Sequence, residues 1–279
     1  MIVDTLHDAT ISRTEFEVLL YLDRRLYEET ARDRFSSLDT HLNPNHPDFN
    51  LRLEVNAHLR DAVDSYVEHN KEYLERQDKI KVAELGASLG VISSLYVLDR
   101  LHRTGLADKV ELTILDICGE PLERTKQLDF DLQGLYEKAD FSIPLENIRK
   151  ILQNARIVEG NVLETQQPDN SHTISLSAFS HHHLNIYDKE LACKESERIA
   201  TKNGGLIVGD LTFSYSDFVE WLRKHQTEIN SQGQRVPYAV ESFVSLEQHQ
   251  DFFSNSSPVF HKQYPQHYIF AMRRGGKNV

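Results

Sequence analysis

The chain has 279 residues, 39% of them hydrophobic and 27% charged, with a formal net charge of −12. That composition predicts a soluble globular protein, and the acidic balance argues against non-specific binding to nucleic acid or an anionic membrane, which needs clustered Lys and Arg. Met1-Ile-Val-Asp4 lacks a basic region, no stretch approaches the roughly 20 apolar residues of a membrane span, and two cysteines, Cys118 and Cys193, without CxxC spacing, predict no signal peptide, no disulfide framework and a cytoplasmic setting.

Residues 1–79 predict a helical cover with no strand. Phe16, Leu19, Leu20 and Leu26 fall near one face of a helix over 14–32. Pro44 and Pro47 interrupt it, and a second helix is predicted over 51–77 with Leu51, Val55, Leu59, Ala62, Tyr66 and Tyr73 as its buried stripe. This region either completes the core or acts as a lid over a substrate pocket.

Ile80-Lys-Val-Ala-Glu84-Leu-Gly86-Ala-Ser88-Leu-Gly90 reads as a strand covered on both faces, a tight glycine turn and a helix start. The helix, 91 to about 103, points its N-terminal N–H groups at the turn and stops at Thr104-Gly105. A second strand, 110–116, closes on Asp116; Pro121 opens a helix to about 138, and 144–153 forms an inserted helix. The third strand and its turn cover 155–161. The fourth, 172–179, runs into Ser180-His181-His182-His183, followed by a helix over 188–202 that stops at Asn203-Gly204-Gly205. A fifth strand, 206–211, contains Asp210. Ser216 caps a helix carrying Phe218, Trp221, Leu222, His225 and Ile229, and Pro237, Tyr238 and Phe243 lie in a connection over 231–244. Ser245-Leu-Glu-Gln248 opens a short helix through Phe253, and strands over 259–264 and 267–272 form a closing hairpin.

Strand–helix alternation predicts an α/β fold: a mostly parallel sheet with helices on both faces and one antiparallel strand from the hairpin. Ligands of such sheets bind at the carboxyl ends of the strands. Here those ends are Glu84–Gly90, Asp116, Asn161, Ser180–His183 and Asp210, which converge on one cleft.

Over roughly 80–273 these features, in this order, resemble the class I S-adenosylmethionine-dependent methyltransferases. Glu84-Leu-Gly86-Ala-Ser88-Leu-Gly90 is similar to the family's acidic-x-Gly-x-Gly-x-Gly turn, with Ser88 at the middle glycine. Asp116 matches the acidic residue that holds the ribose hydroxyls, and Gly160-Asn161 stands where Gly-Asp is frequent. Phe179-Ser-His-His-His-Leu184, Asn203-Gly-Gly-Leu-Ile-Val-Gly-Asp210 and Ser245 to Met272 match the later segments. The resemblance implies a Rossmann-like seven-stranded sheet as catalytic domain over 80–273, with 274–279 as a polar tail. It also implies S-adenosylmethionine as cofactor, held by Glu84, Gly86, Ala87, Ser88, Gly90, Asp116, Ile117, Asn161, Val162 and Ser180. A dinucleotide-binding oxidoreductase fits less well: its fingerprint needs glycine at 88 and 91, where Ser88 and Val91 stand.

The expected reaction is methyl transfer to a small-molecule acceptor, with no nucleic acid or membrane partner. His181, His182, His183 and Asp210 are the candidate catalytic residues. One histidine serves as general base, or the histidines only pack near the cofactor, or they join a metal whose other ligands come from elsewhere. On an extended backbone His181 and His183 face one way and His182 the other. Asp210 orients a histidine, binds an amine, joins a metal site or caps its strand. Tyr215, Trp221, Tyr238 and Phe243, with Tyr21, Tyr27 and Tyr66 of the cover, line an acceptor pocket or belong to the core. The cover helices of related enzymes often mediate dimers, which implies a homodimer. An S-adenosylmethionine-binding protein that does not transfer methyl, and a metal-assisted enzyme using the histidine cluster, are the alternative readings.

Overall fold

Seven strands form one sheet: β1 Ile80–Leu85, β2 Val110–Asp116, β3 Arg156–Glu159, β4 His172–Ala178, β5 Ala200–Leu211, β6 Ser256–Gln263 and β7 His267–Arg274, in the spatial order β3-β2-β1-β4-β5-β7-β6. The computed structural model describes residues 49–87, 91–212, 227–229, 235–237 and 244–275, with the backbone alone for Leu51, Arg52 and the two three-residue segments. β1 to β5 pair in parallel, and β7 runs antiparallel between β5 and β6. The expected mixed sheet with one antiparallel strand is therefore present. Strand order reverses between β1 and β4, which opens a crevice at their carboxyl ends.

Helices α1 Phe49–Ala57, α2 Leu59–His69 and α3 Lys71–Glu75 precede β1; α4 Ile92–Arg103 follows it. The later helices are α5 Gly119–Lys126, α6 Leu132–Ala139, α7 Leu145–Gln153, α8 Ile186–Ile199 and α9 Leu246–Asp251. β1 buries Val82, Ala83, Glu84 and Leu85 in succession, as a strand covered on both faces must. Phe49, Leu53, Leu59 and Val63 share one hydrophobic cluster with Ile80, Val82, Ile174, Ile207 and Ile269, so α1 and α2 lie directly on the sheet.

The structure corrects several boundaries. The single helix expected over 51–77 is three helices. Asn70 ends α2 at φ −123°, and its side-chain amide donates to the Tyr66 carbonyl at 2.9 Å, competing with the helical ladder. Leu59, Ala62 and Tyr66 are buried as expected. The helix expected from Pro121 to 138 divides at Leu128, whose φ is +59°, and Asp131 caps the second piece by accepting from the Gly134 N–H at 2.8 Å. α8 ends at Ile199 rather than 202, because β5 already begins at Ala200. Asn203-Gly204-Gly205 is an irregular part of that strand rather than a helix stop: Asn203 has φ +67°, and the pairing with β4 shifts between His172 and Ile174. Ile229, expected on a helix, lies in a short strand, Thr227–Ile229, antiparallel to Arg235–Pro237. The helix expected over 14–32, and Tyr215, Trp221, Tyr238 and Phe243, lie outside the described residues.

Gly205 shows why glycine stands in β5. A Cβ there would come within 2.7 Å of the Tyr66 ring, which is fully buried and donates its hydroxyl to the Asn203 carbonyl at 3.2 Å. Gly205→Ala is expected to lower stability by about 2 kcal/mol through overpacking. Chemical denaturation measures this, and Tyr66→Leu in the same chain should recover part of the loss. An unchanged midpoint in the single variant would show that the ring yields freely.

Candidate active site

The turn after β1 is built by its neighbours. Gly86 has φ +69°, in the left-handed region, and the N–H groups of Gly86 and Ala87 donate to the Leu115 carbonyl of β2 at 2.9 and 3.1 Å. A Cβ on Gly86 would stand 2.8 Å from Cβ and Oγ of Ser180 and 3.6 Å from Val162 Cγ1. Three residues expected around the cofactor, Gly86, Val162 and Ser180, therefore meet across the switch point. Ser88 and Gly90, with Leu89, lie outside the described residues.

Glu84 is 1% exposed, and its two carboxylate oxygens accept from the hydroxyls of Ser93 and Ser94 in the first turn of α4. Burial pushes its carboxyl up to about 7; the two serine hydrogen bonds oppose that rise and the nearby Asp116 charge adds to it. Glu84 thus ties the end of β1 to the helix that follows and shapes the turn from within. Ser93 and Ser94 were missed from sequence; the available signal was a pair of hydroxyls nine and ten residues beyond a buried acid, in the first turn of the helix after the glycine turn.

Asp116 is 5% exposed at the carboxyl end of β2, and its Oδ1 accepts from the Cys118 N–H at 3.0 Å. Its main-chain carbonyl accepts from the Gly160 N–H at 2.8 Å, which brings the exit of β3 alongside. Ile117, next in the chain, is half-buried, and so is Val162. The Asn161 side-chain carbonyl accepts from the Leu163 N–H at 2.9 Å, so it serves its own turn.

The other side of the crevice begins at Phe179, whose φ is +55° and whose N–H donates to the Gly209 carbonyl at 2.7 Å. The backbone does not stay extended. His181–His183 form a single 3-10 turn, so the expected alternation of the three rings fails. The physical cause is Lys189 of α8. Its fully buried ammonium donates to the carbonyls of His181 and, at 2.9 Å, of Leu184, and so closes the turn from behind.

The three histidines part company. The His182 main-chain N–H reaches Asp210 Oδ1 at 3.2 Å and its Nδ1 reaches the same oxygen at 2.8 Å. Burial raises the Asp210 carboxyl, but the His182 hydrogen bond and the charges of His182, Lys189 and His249 outweigh it and hold the group below the usual carboxylate range. The His183 ring is half-buried, 4.1 Å from that of His182. His181, 1% exposed, turns into the core, where its Nδ1 lies 2.9 Å from His249 Nε2. His249 Nδ1 in turn lies 2.7 Å from Tyr268 Oη. Burial, reinforced by Lys189 and His182 against Asp210, lowers His181 to about 4. Lys189, His249 and Tyr268 carried no sequence signal for this neighbourhood.

Beyond β5, His58 Nδ1 meets His267 Nε2 at 3.0 Å, and the Tyr264 ring stacks on both at 4.0 and 4.4 Å. Phe179 stands edge-on to His267 at 5.9 Å. Tyr66, a candidate for the acceptor pocket, is a core residue; Tyr21 and Tyr27 lie outside the described residues.

No protein-family model and no curated protein sequence matches the chain. Solved structures do match. A geranyl diphosphate methyltransferase in complex with GPP and sinefungin is 11% identical, with 89% of this chain and 99% of that one covered at a TM-score of 0.53. Geranyl diphosphate C-methyltransferase from Streptomyces coelicolor A3(2), in complex with Mg2+, geranyl diphosphate and S-adenosyl-L-homocysteine, is 12% identical over 89% of this chain and 98% of that one, at 0.52. The PH0226 protein from Pyrococcus horikoshii OT3 is 13% identical, with 85% and 95% covered, at 0.50. Identity this low speaks to architecture alone. Together with the strand order and the closing antiparallel strand, it shows that this chain has the fold of the class I S-adenosylmethionine-dependent methyltransferases.

Proposed function

We propose that the chain is an S-adenosylmethionine-dependent methyltransferase acting on a small-molecule acceptor. The observation that carries this reading is the cradle at Gly86, where a positive φ and the approach of Ser180 leave no room for a side chain, with Asp116 at the end of the neighbouring strand. The residues fit the cofactor. Gly86 and Ala87, continued by Ser88 and Gly90, would lie along its amino-acid part, and Asp116 beside Ile117 would accept from the ribose hydroxyls. Asn161, Val162 and Ser180 would flank the remainder, with Glu84 holding the turn. Two of the matched structures hold S-adenosyl-L-homocysteine or sinefungin, and both hold a geranyl diphosphate substrate or GPP, a small molecule.

When bound, S-adenosylmethionine supplies a methyl group on a sulfonium for in-line displacement. The chain's own contribution is then to position the acceptor and, where the acceptor must lose a proton, to take it. We assign that second role to His182. Asp210 fixes its ring at Nδ1, and a base at this position would act through Nε2. His183 lies next to it on the half-exposed side, and His181 is turned away. We further propose a cytoplasmic enzyme, catalytic over 80–273 under a helical cover over 1–79, and a homodimer. No helix among the described residues is long and apolar enough to cross a membrane.

Binding of S-adenosylmethionine to the purified chain tests the reading. Asp116→Asn is expected to weaken it about tenfold, the effect of removing a charge-assisted hydrogen bond. Unchanged affinity in both Asp116→Ala and Gly86→Trp would overturn the cofactor assignment.

A further inference from the structure

We infer that His181, Cys193 and His249 form a binding site for a thiophilic metal ion, Zn2+ foremost. The three residues come from three separate elements: the turn after β4, the middle of α8 and the short helix α9. Each is at most 1% exposed. One ligand atom from each lies within 4.8 Å of the others, and the two imidazoles face each other nitrogen to nitrogen at 2.9 Å.

One hydrogen bond joins His181 Nδ1 to His249 Nε2, and among the described residues Nε2 of His181 is buried with no hydrogen-bond partner. Around these polar atoms lies an apolar layer that includes Leu246, Phe253, Phe270 and Met272. A cation takes one lone pair from each imidazole and a third from Cys193 Sγ, whose proton leaves on binding. His249 Nδ1–H then donates to Tyr268 Oη, the kind of outer hydrogen bond that fixes the tautomer of a metal-bound histidine. The nitrogen pair needs to open only a few tenths of an ångström, because bonds of about 2.0–2.1 Å in tetrahedral geometry set ligand nitrogens roughly 3.3 Å apart. One thiolate with two imidazoles selects a soft or borderline ion over Mg2+ or Ca2+. Three protein donors leave the fourth tetrahedral position to another ligand, and the ion ties the turn that carries His182 and His183 to α8 and α9.

The test uses tag-free full-length protein, since the chain holds 14 histidines in all. Elemental analysis after exposure to Zn2+ and exhaustive washing is expected to find about one ion per chain. Cys193→Ser and His249→Gln should each cut that content at least tenfold, while His261→Gln, at an exposed position on β6, should leave it unchanged. Loading the wild type with Co2+ should give a thiolate-to-cobalt charge-transfer band that Cys193→Ser lacks. The band is read on the wild type, so a variant that fails to fold does not block the answer. Wild-type protein, folded by circular dichroism, that retains no ion and shows no band would overturn the site. So would metal content indifferent to both ligand substitutions. The readout is independent of S-adenosylmethionine binding, so this site and the proposed activity stand or fall separately.

Discussion

Gly86→Val is expected to weaken S-adenosylmethionine binding at least about a hundredfold, close to 3 kcal/mol, while the chain still folds. Two penalties combine. At φ +69° a β-branched residue is strained by about 1–3 kcal/mol. Its Cβ would also stand 2.8 Å from Cβ and Oγ of Ser180. Ser180 has little freedom to retreat: its Oγ is 2.8 Å from Ser177 Oγ, and it leads directly into the 3-10 turn that Lys189 closes. The turn after β1 must then move, and the two N–H groups held by Leu115 move with it. Gly86→Ala, with the same Cβ and less bulk, should fall between. Titration calorimetry measures both, with circular dichroism to confirm folding; wild-type affinity in the valine variant would remove the turn from the cofactor site.

Glu84 gives the second large effect, on stability against pH. Its carboxyl is raised from 4.5 to about 7 in the folded chain, so folding favours the protonated form. A raised folded-state value contributes stability that is full below the unfolded value and lost as pH rises through the folded one. Glu84 should therefore make the chain less stable between about pH 4.5 and 7, by roughly 3 kcal/mol across that window. Glu84→Gln keeps the shape and the hydrogen-bonding capacity toward Ser93 and Ser94 but cannot ionise. The difference in unfolding free energy between wild type and variant, measured by urea at pH 4.5 and at pH 7.5, should grow in favour of the variant as pH rises. A difference that stays flat would show that the serine hydroxyls fully offset the burial of the charge.

Those two residues were also the most legible in the sequence, for the same physical reason. A buried strand ending in an acid and a glycine turn is local chemistry, written within seven residues. Asp116 and the closing hairpin were legible on similar grounds. The histidine turn was not. Its shape depends on Lys189, eight residues from His181, and on Asp210, 28 residues from His182, and neither periodicity nor propensity reports such a contact. The start of β5 was hidden because Asn203-Gly204-Gly205 carries the composition of a helix stop; only pairing with β4 and the Tyr66 ring beneath reveals strand. The break at Asn70 was hidden by an unbroken apolar stripe, since one side-chain amide competing with the ladder leaves the stripe intact. His249 gave no warning at all, because its partners come from β7 and from the turn after β4.

The placement of α2 has a consequence for the order of events during synthesis. The helix is made before every strand of the sheet, yet it rests on β6 and β7: Ser65 Oγ donates to the Val259 carbonyl at 3.1 Å, 194 residues away, and His58, just before α2, meets His267 across 209. Until β6 and β7 are made, part of the helix surface lacks its native partners.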